Sequence, residues 1–184
     1  MSMVRKMSES RRWRRAVLVA AWLALPTVAP AQAQGALPGG ASSLQETYGD
    51  WTVSCVQGEG PQCRLVQQQN QQNGQRVLAI ELISANEGKS ATGTLVLPFG
   101  LELDAGVTLQ VDDKPAEAPR RFSTCLPAGC IVPLTFEGTS LAALRAGGTL
   151  KTTAKAVNSD QVITLPISLQ GFSAAFDRVA ALTK

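Results

Sequence analysis

"WTVSCV", residues 51–56, places Trp51, Val53 and Cys55 on one side of an extended chain and Thr52, Ser54 and Val56 on the other. Alternation of this kind has the period of a half-buried β-strand, not of a helix. The pattern recurs along the chain. "RVLAIELI" (76–83) aligns Leu78, Ile80 and Leu82, and "IVPLTF" (131–136) aligns Val132, Leu134 and Phe136. "VTLQV" (107–111) alternates up to the turn "DDKP" (112–115), and "TLKTTAKAV" (149–157) reads as an amphipathic strand. "VITLPISL" (162–169) aligns Ile163, Leu165, Ile167 and Leu169, while "TLVLPF" (94–99) is a continuous apolar run. Short period-two segments broken by Gly, Pro, Asn and Asp predict a mainly β chain, a single antiparallel sandwich or barrel-like domain.

Two segments read as helices. "TSLAALRAGG" predicts a short helix near 140–146, with Thr139 or Ser140 as N-cap, Arg145 in the last turn and Gly147 past its end. "GFSAAFDRVAALTK" predicts a C-terminal helix near 173–182 capped by Ser173. Its Phe172, Phe176, Val179 and Ala180 form an apolar stripe suited to covering one end of the sandwich.

The N-terminus has the three parts of a secretory signal peptide. Arg11, Arg12, Arg14 and Arg15 form the basic region, an apolar run extends from Ala16 to Ala29, and Ala31-Gln32-Ala33 supplies the cleavage pattern. The run is shorter than the roughly 20 residues that a spanning helix needs. Residues 1–33 are therefore expected to be cleaved without leaving a membrane anchor. Arg14 stands where a twin-arginine signal usually carries a hydrophobic residue, which favours the general export route. Residues 34–47, rich in Gly, Pro and Ser, read as a flexible lead-in, and 48–184 as the folded domain. The implied location is the periplasm, the outer envelope or the medium.

Loss of the leader changes the charge. Of 17 Lys+Arg and 14 Asp+Glu in the 184 residues, it carries six and one, leaving 11 and 13 and a net charge of −2. No basic surface remains to attract nucleic acid.

All four cysteines, Cys55, Cys63, Cys125 and Cys130, lie in the exported part, where an even number reads as two disulfides. Three pairings are possible. The local pairs Cys55–Cys63 and Cys125–Cys130 are favoured, because Gly58, Gly60 and Pro61 in one segment and Pro127 and Gly129 in the other allow tight turns. The spacings differ from the Cys-x-x-Cys of thiol oxidoreductases and zinc sites. Trp51, four positions before Cys55, is placed to pack in the core against the disulfide.

The chain contains no histidine. That excludes Ser-His-Asp and Cys-His catalysis and nearly all transition-metal enzyme sites, and no cofactor is indicated. Acid–base work would fall to carboxylates, lysines or Tyr48. Glu102, Asp104, Asp112, Asp113 and Glu117 form an acidic group that reads as solvated turn residues, with a carboxylate pair for glycoside hydrolysis as the sharper alternative. "GKS" (88–90) reads as a turn, since Ile83 stands where a phosphate loop needs glycine. "VQQQNQQNGQ" (66–75) reads as the polar end of a hairpin turning at Asn73-Gly74, or as an adhesive polar surface.

Five stretches in order resemble the bacterial invasion-associated locus B family: "YGDWTVSC" (48–55), "CRLVQQ" (63–68), "LPFGLELDAGVTLQVDD" (97–113), "FSTCLPAGC" (122–130) and "ISLQGFSAAF" (167–176). The resemblance runs from Tyr48 to Leu182. It implies an exported envelope protein with a β-sandwich-like fold, structural disulfides at the four cysteines, and packing roles for Trp51 and Phe172. It supplies no catalytic motif, and the family takes its name from host-cell invasion. The expected function is a non-enzymatic interaction module that binds an envelope or host protein through loops 57–62, 67–75 and 112–120. A small-ligand carrier and a carboxylate hydrolase are the alternatives.

Overall fold

The computed structural model describes residues 36–184, so the expected signal peptide at 1–33 lies outside the described residues. Ten strands and two helices follow one another: β1 (Ser43–Tyr48), β2 (Trp51–Gln57), β3 (Pro61–Asn70), β4 (Arg76–Ala85), β5 (Ser90–Leu97), β6 (Val107–Val111), β7 (Thr124–Leu126), β8 (Gly129–Glu137), α1 (Gly138–Ala146), β9 (Thr149–Lys155), β10 (Val162–Ser168) and α2 (Phe172–Leu182). A seven-stranded sheet has the order β1-β2-β3-β4-β5-β8-β7, and a three-stranded sheet the order β10-β9-β6. All pairings are antiparallel. The two sheets make a sandwich-like arrangement around one core.

Alternation builds that core. Val53 lies opposite Leu65, Leu65 opposite Leu82, Leu82 opposite Gly93, and Gly93 opposite Leu134, which carries one row across five strands. The next row runs through Ile80, Leu95 and Val132, all buried. Because side chains alternate between faces, the other face of the large sheet carries Thr52, Ser54, Arg64, Glu81, Thr92 and Thr135.

Several boundaries differ from the sequence reading. The supposed lead-in at 34–47 contains all of β1 but its last residue, and Leu37 ahead of it is buried at 1% exposure. Gly39, Gly40 and Pro38 make a tight turn before that strand rather than a linker, because Leu37 has a core site to fill. In sequence β3 reads only as the polar end of a hairpin, because half of its residues are amides, and β7 is three exposed residues with no strand signal.

Both helix caps move. α1 is capped by Glu137, whose backbone N–H donates to Ser140 Oγ at 3.0 Å, so Ser140 sits inside the first turn. α2 starts after Gly171 in the left-handed region (φ 85°), not at Ser173. A Cβ at Gly171 would collide with the Tyr48 carbonyl oxygen, so the cap position demands glycine on both counts. α2 does not plug an end of the sandwich. Its stripe of Phe172, Ala175, Phe176 and Val179 packs along β2, β3 and β4, with Ala180 at the margin. The Trp51 ring meets Phe172 edge-on at 5.2 Å, and Phe172 stacks on Phe176 at 5.9 Å. Cys55 lies about 13 Å further along β2 at the usual strand rise, so Phe172 is the ring partner rather than the disulfide.

Candidate protein-binding surface

Each disulfide joins residues directly opposite each other on neighbouring strands. Cys55 pairs with Cys63 across β2–β3 and Cys125 with Cys130 across β7–β8, with Cα separations of 4.1 and 3.9 Å. Cys55, Cys63 and Cys130 are buried, whereas Cys125 is exposed. Both bonds therefore staple hairpins.

The acidic group does not converge. Asp112 accepts from the backbone N–H groups of Gly148 (3.1 Å) and Thr149 (2.8 Å), and these bonds hold its carboxyl below the ordinary range. Asp113 pairs with Lys151 at 3.2 Å and Glu117 with Arg120 at 2.8 Å. Glu102 and Asp160 flank Lys155 at 3.2 and 3.4 Å and raise its ammonium, Glu102 first. Asp104 borders a shallow polar cleft with Arg121 and Ser123. Tyr48 donates to Glu46, which also binds Arg178 of α2 through two 2.8 Å contacts. Arg178 lowers the Glu46 carboxyl, and Glu46 raises both the Tyr48 hydroxyl and Arg178. These groups tie turns and elements together. Among the described residues no group of three or more Cys, Asp or Glu side chains is placed to hold a metal ion.

The Gln-rich strand is built differently from either sequence reading. Alternation along β3 turns Gln67 inward among Trp51 and Ile80. Its amide donates to the Ser168 carbonyl at 2.8 Å and accepts from the Ser168 N–H at 3.1 Å. Trp51 Nε1 donates to the same carbonyl at 2.9 Å, and Gln69 Nε2 to the Pro166 carbonyl at 2.6 Å. The amides thus pair with the free edge of β10 and join the two sheets. A hint lay in the sequence: Gln67 and Gln69 continue the period of Cys63 and Leu65.

The three expected binding loops separate. The Gln57–Pro61 turn closes one end of the β2–β3 hairpin, and Asn70 opposite Arg76 opens the turn at the other end of β3. Residues 112–120 do not project as a loop. After the turn at 112–115, Glu117 and Arg120 bond back to the backbone of Leu109 and Val107, covering the edge of β6.

Loop 67–75 leads to the surface with the most distinctive chemistry. The turn at 71–75 is closed by Gly74 N–H to Gln71 O at 2.9 Å and Gln71 N–H to Gln75 O at 2.8 Å. Beside it, Arg76 donates to the Ala128 carbonyl of the β7–β8 hairpin. Gly129 (φ 132°) brings that hairpin against β5, where a Cβ would collide with the Leu97 carbonyl oxygen. Gln75, Arg76, Pro98, Phe99, Pro127 and Ala128 line a cleft of about 320 Å³. Phe99 is 61% exposed, and Leu126 on the adjoining hairpin 49%. Val157, 48% exposed, is held alongside by its N–H bond to the Gly100 carbonyl at 2.9 Å. An aromatic ring, two prolines and an arginine on a disulfide-stapled tip are residue types that carry interface energy. A gathered apolar surface of this kind marks an interaction site more often than scattered single residues do.

Comparison with known proteins gives a consistent answer. The chain matches the family described as Invasion associated locus B (IalB) protein over residues 51–180. It is 49% identical over 150 residues to an Invasion protein B homolog of Brucella abortus, covering 80% of this chain and 86% of that one. The Invasion protein B of Bartonella bacilliformis is 37% identical over 150 residues, covering 80% and 81%. The crystal structure of invasion associated protein B from Bartonella henselae superposes with a TM-score of 0.70 at 38% identity, covering 76% of this chain and 97% of that one.

Proposed function

Because this chain belongs to the invasion-associated locus B family, whose name ties it to invasion, we propose that it is a non-enzymatic exported envelope protein that binds another protein through the Phe99 tip. The observation that carries this reading is Phe99, exposed on the cleft it lines with Arg76, Pro98 and Pro127, with Leu126 exposed next to Pro127 on the stapled hairpin. Burying a large apolar side chain stabilises a complex by about 1.5–3 kcal/mol, enough for two or three such anchors to matter. A non-enzymatic role draws support from the absence of histidine and from the structural engagement of the acidic side chains. Export draws support from the leader-like first 33 residues and from the two disulfides, which persist in oxidising compartments.

Photo-crosslinking residues placed at Phe99 and at Leu126, with Thr135 on the outer sheet face as control, test the reading in the native envelope or on host cells. It expects a reproducible protein adduct from the two tip positions and none from Thr135. Equal yields at all three positions, or none at the tip, would overturn it.

A further inference from the structure

Every sheet in the fold has edges, and an unpaired edge is a row of backbone donors and acceptors that templates another strand. Three of the four edges here are protected. β6 is covered by residues 114–120 through bonds from Lys114, Glu117 and Arg120. β10 carries Pro166, which has no N–H, and Gln67 and Gln69 occupy its carbonyls. β7 is only three residues long and is stapled to β8. β1 is six residues long, contains no proline, and no other described strand pairs with its outer side.

The phase of β1 follows from its hairpin. Gln57 N–H donates to Ser42 O at 2.9 Å, and Tyr48 lies opposite Trp51. Antiparallel alternation then directs the N–H and C=O groups of Leu44, Glu46 and Tyr48 to β2, and those of Ser43, Gln45 and Thr47 outward. All three outward residues are exposed. The single charge on the strand, Glu46, is taken up by Arg178.

We propose that β1 pairs antiparallel with β1 of a second copy of this chain, joining two seven-stranded sheets into one across a two-fold axis at Gln45. The occupant follows from the strand's own chemistry. Ser43, Gln45 and Thr47 read hydroxyl, amide, hydroxyl in either direction, so the strand turned end for end faces its own pattern. With Gln45 opposite Gln45 of the second copy, Ser43 faces Thr47 and Leu44 faces Glu46. This register uses the strand from Ser42 to Tyr48 and keeps Glu46 away from its own copy, where like charges would oppose pairing. α2 packs against the side-chain face of β1 as well as β2, β3 and β4, with Arg178 on Glu46, and no hydrogen bond runs from it to the outward backbone groups of Ser43, Gln45 or Thr47. A contact of this kind is isologous and closes on itself as a dimer. It is separate from the Phe99 tip and does not depend on it.

The test is the mass of the protein purified from the cells that make it, measured by sedimentation across a concentration series. The wild type is expected to rise two-fold in mass with concentration. Gln45→Pro removes an outward N–H that the chain itself does not use, and Gln45→Lys sets two like charges face to face. Both are expected to stay at monomer mass with unchanged thermal unfolding, and the lysine variant serves if the proline variant does not fold. Gln45→Cys is expected to form a covalent dimer on mild oxidation, while Thr135→Cys on β8, five strands away across the sheet, does not. A wild type that remains monomeric throughout, a dimer that survives Gln45→Lys, or a foreign strand on β1 of a monomer would each overturn the proposal.

Discussion

Gln67 and Ser168 exchange two hydrogen bonds, one from the amide to the carbonyl at 2.8 Å and one from the backbone N–H to the amide oxygen at 3.1 Å. A side chain here does what a neighbouring strand does elsewhere. Gln67 is 6% exposed, so water does not replace either bond when the amide is lost. Gln67→Ala is expected to cost about 2–4 kcal/mol, combining an orphaned backbone N–H with a cavity. The more exposed Gln69→Ala should cost less than about 1 kcal/mol. Urea midpoints at unchanged slope give both numbers. Equal losses for the two variants would remove the special role assigned to Gln67.

Gly171 is expected to be among the least replaceable residues. Its φ of 85° penalises any side chain, and a Cβ would strike the Tyr48 carbonyl. Gly171→Ala should therefore cost about 3 kcal/mol or more by undocking α2 from the β1–β2 turn. Gly60→Ala, which meets open space and has no positive φ, is the matched control and should fall within about 0.5 kcal/mol of wild type. Thermal unfolding of the pair separates the two cases.

The Glu46–Arg178 pair makes stability pH-dependent in a definite direction. Arg178 lowers the Glu46 carboxyl below its ordinary 4.5. The folded state thus binds a proton less readily than the unfolded chain. The contribution is complete above pH 4.5 and is lost as pH falls through the lowered folded value. Glu46→Gln should therefore be less stable than wild type at neutral pH, with the difference shrinking in acid. Denaturation midpoints compared along an acid series decide the point; a gap of constant size would show that the ion pair is not its source.

The two disulfides should respond unequally to reductant. Cys125 is exposed, while Cys55 and Cys63 are 2% and 5% exposed, so a thiolate reaches the β7–β8 staple first. Mild reduction with alkylation and mass spectrometry is expected to label Cys125 and Cys130 before Cys55 and Cys63. Replacing both Cys55 and Cys63 by Ser should cost about 2–3 kcal/mol through the looser unfolded chain. Labelling in the reverse order would contradict the exposure argument.

Local information carried much of this protein. The alternation of Trp51, Val53 and Cys55, of Leu78, Ile80 and Leu82, and of Val132, Leu134 and Phe136 announces β-strands with one buried face, and those faces are the buried ones. The turn at Asn73-Gly74 and the extent of β6 were legible because turn chemistry and period-two patterning are properties of neighbouring residues. The family was also legible, in five ordered stretches.

Other features are contacts between residues far apart in the chain, and they had no local signal. β1 looked like a linker because Ser43–Tyr48 gains its structure from pairing with β2 and from Arg178, 132 residues beyond Glu46. The cap of α2 shifted to Gly171 because Tyr48, from the other end of the domain, presses on it. Gln67 and Gln69 counted as surface amides until β10, about a hundred residues later, brought Ser168 and Pro166 to them. The Phe99 tip likewise exists only because three turns distant in sequence converge there. Short-range periodicity is set by backbone geometry and is written in consecutive residues. Edge protection, sheet-to-sheet seams and surface clusters are set by which strands meet, and here only tertiary packing determined that.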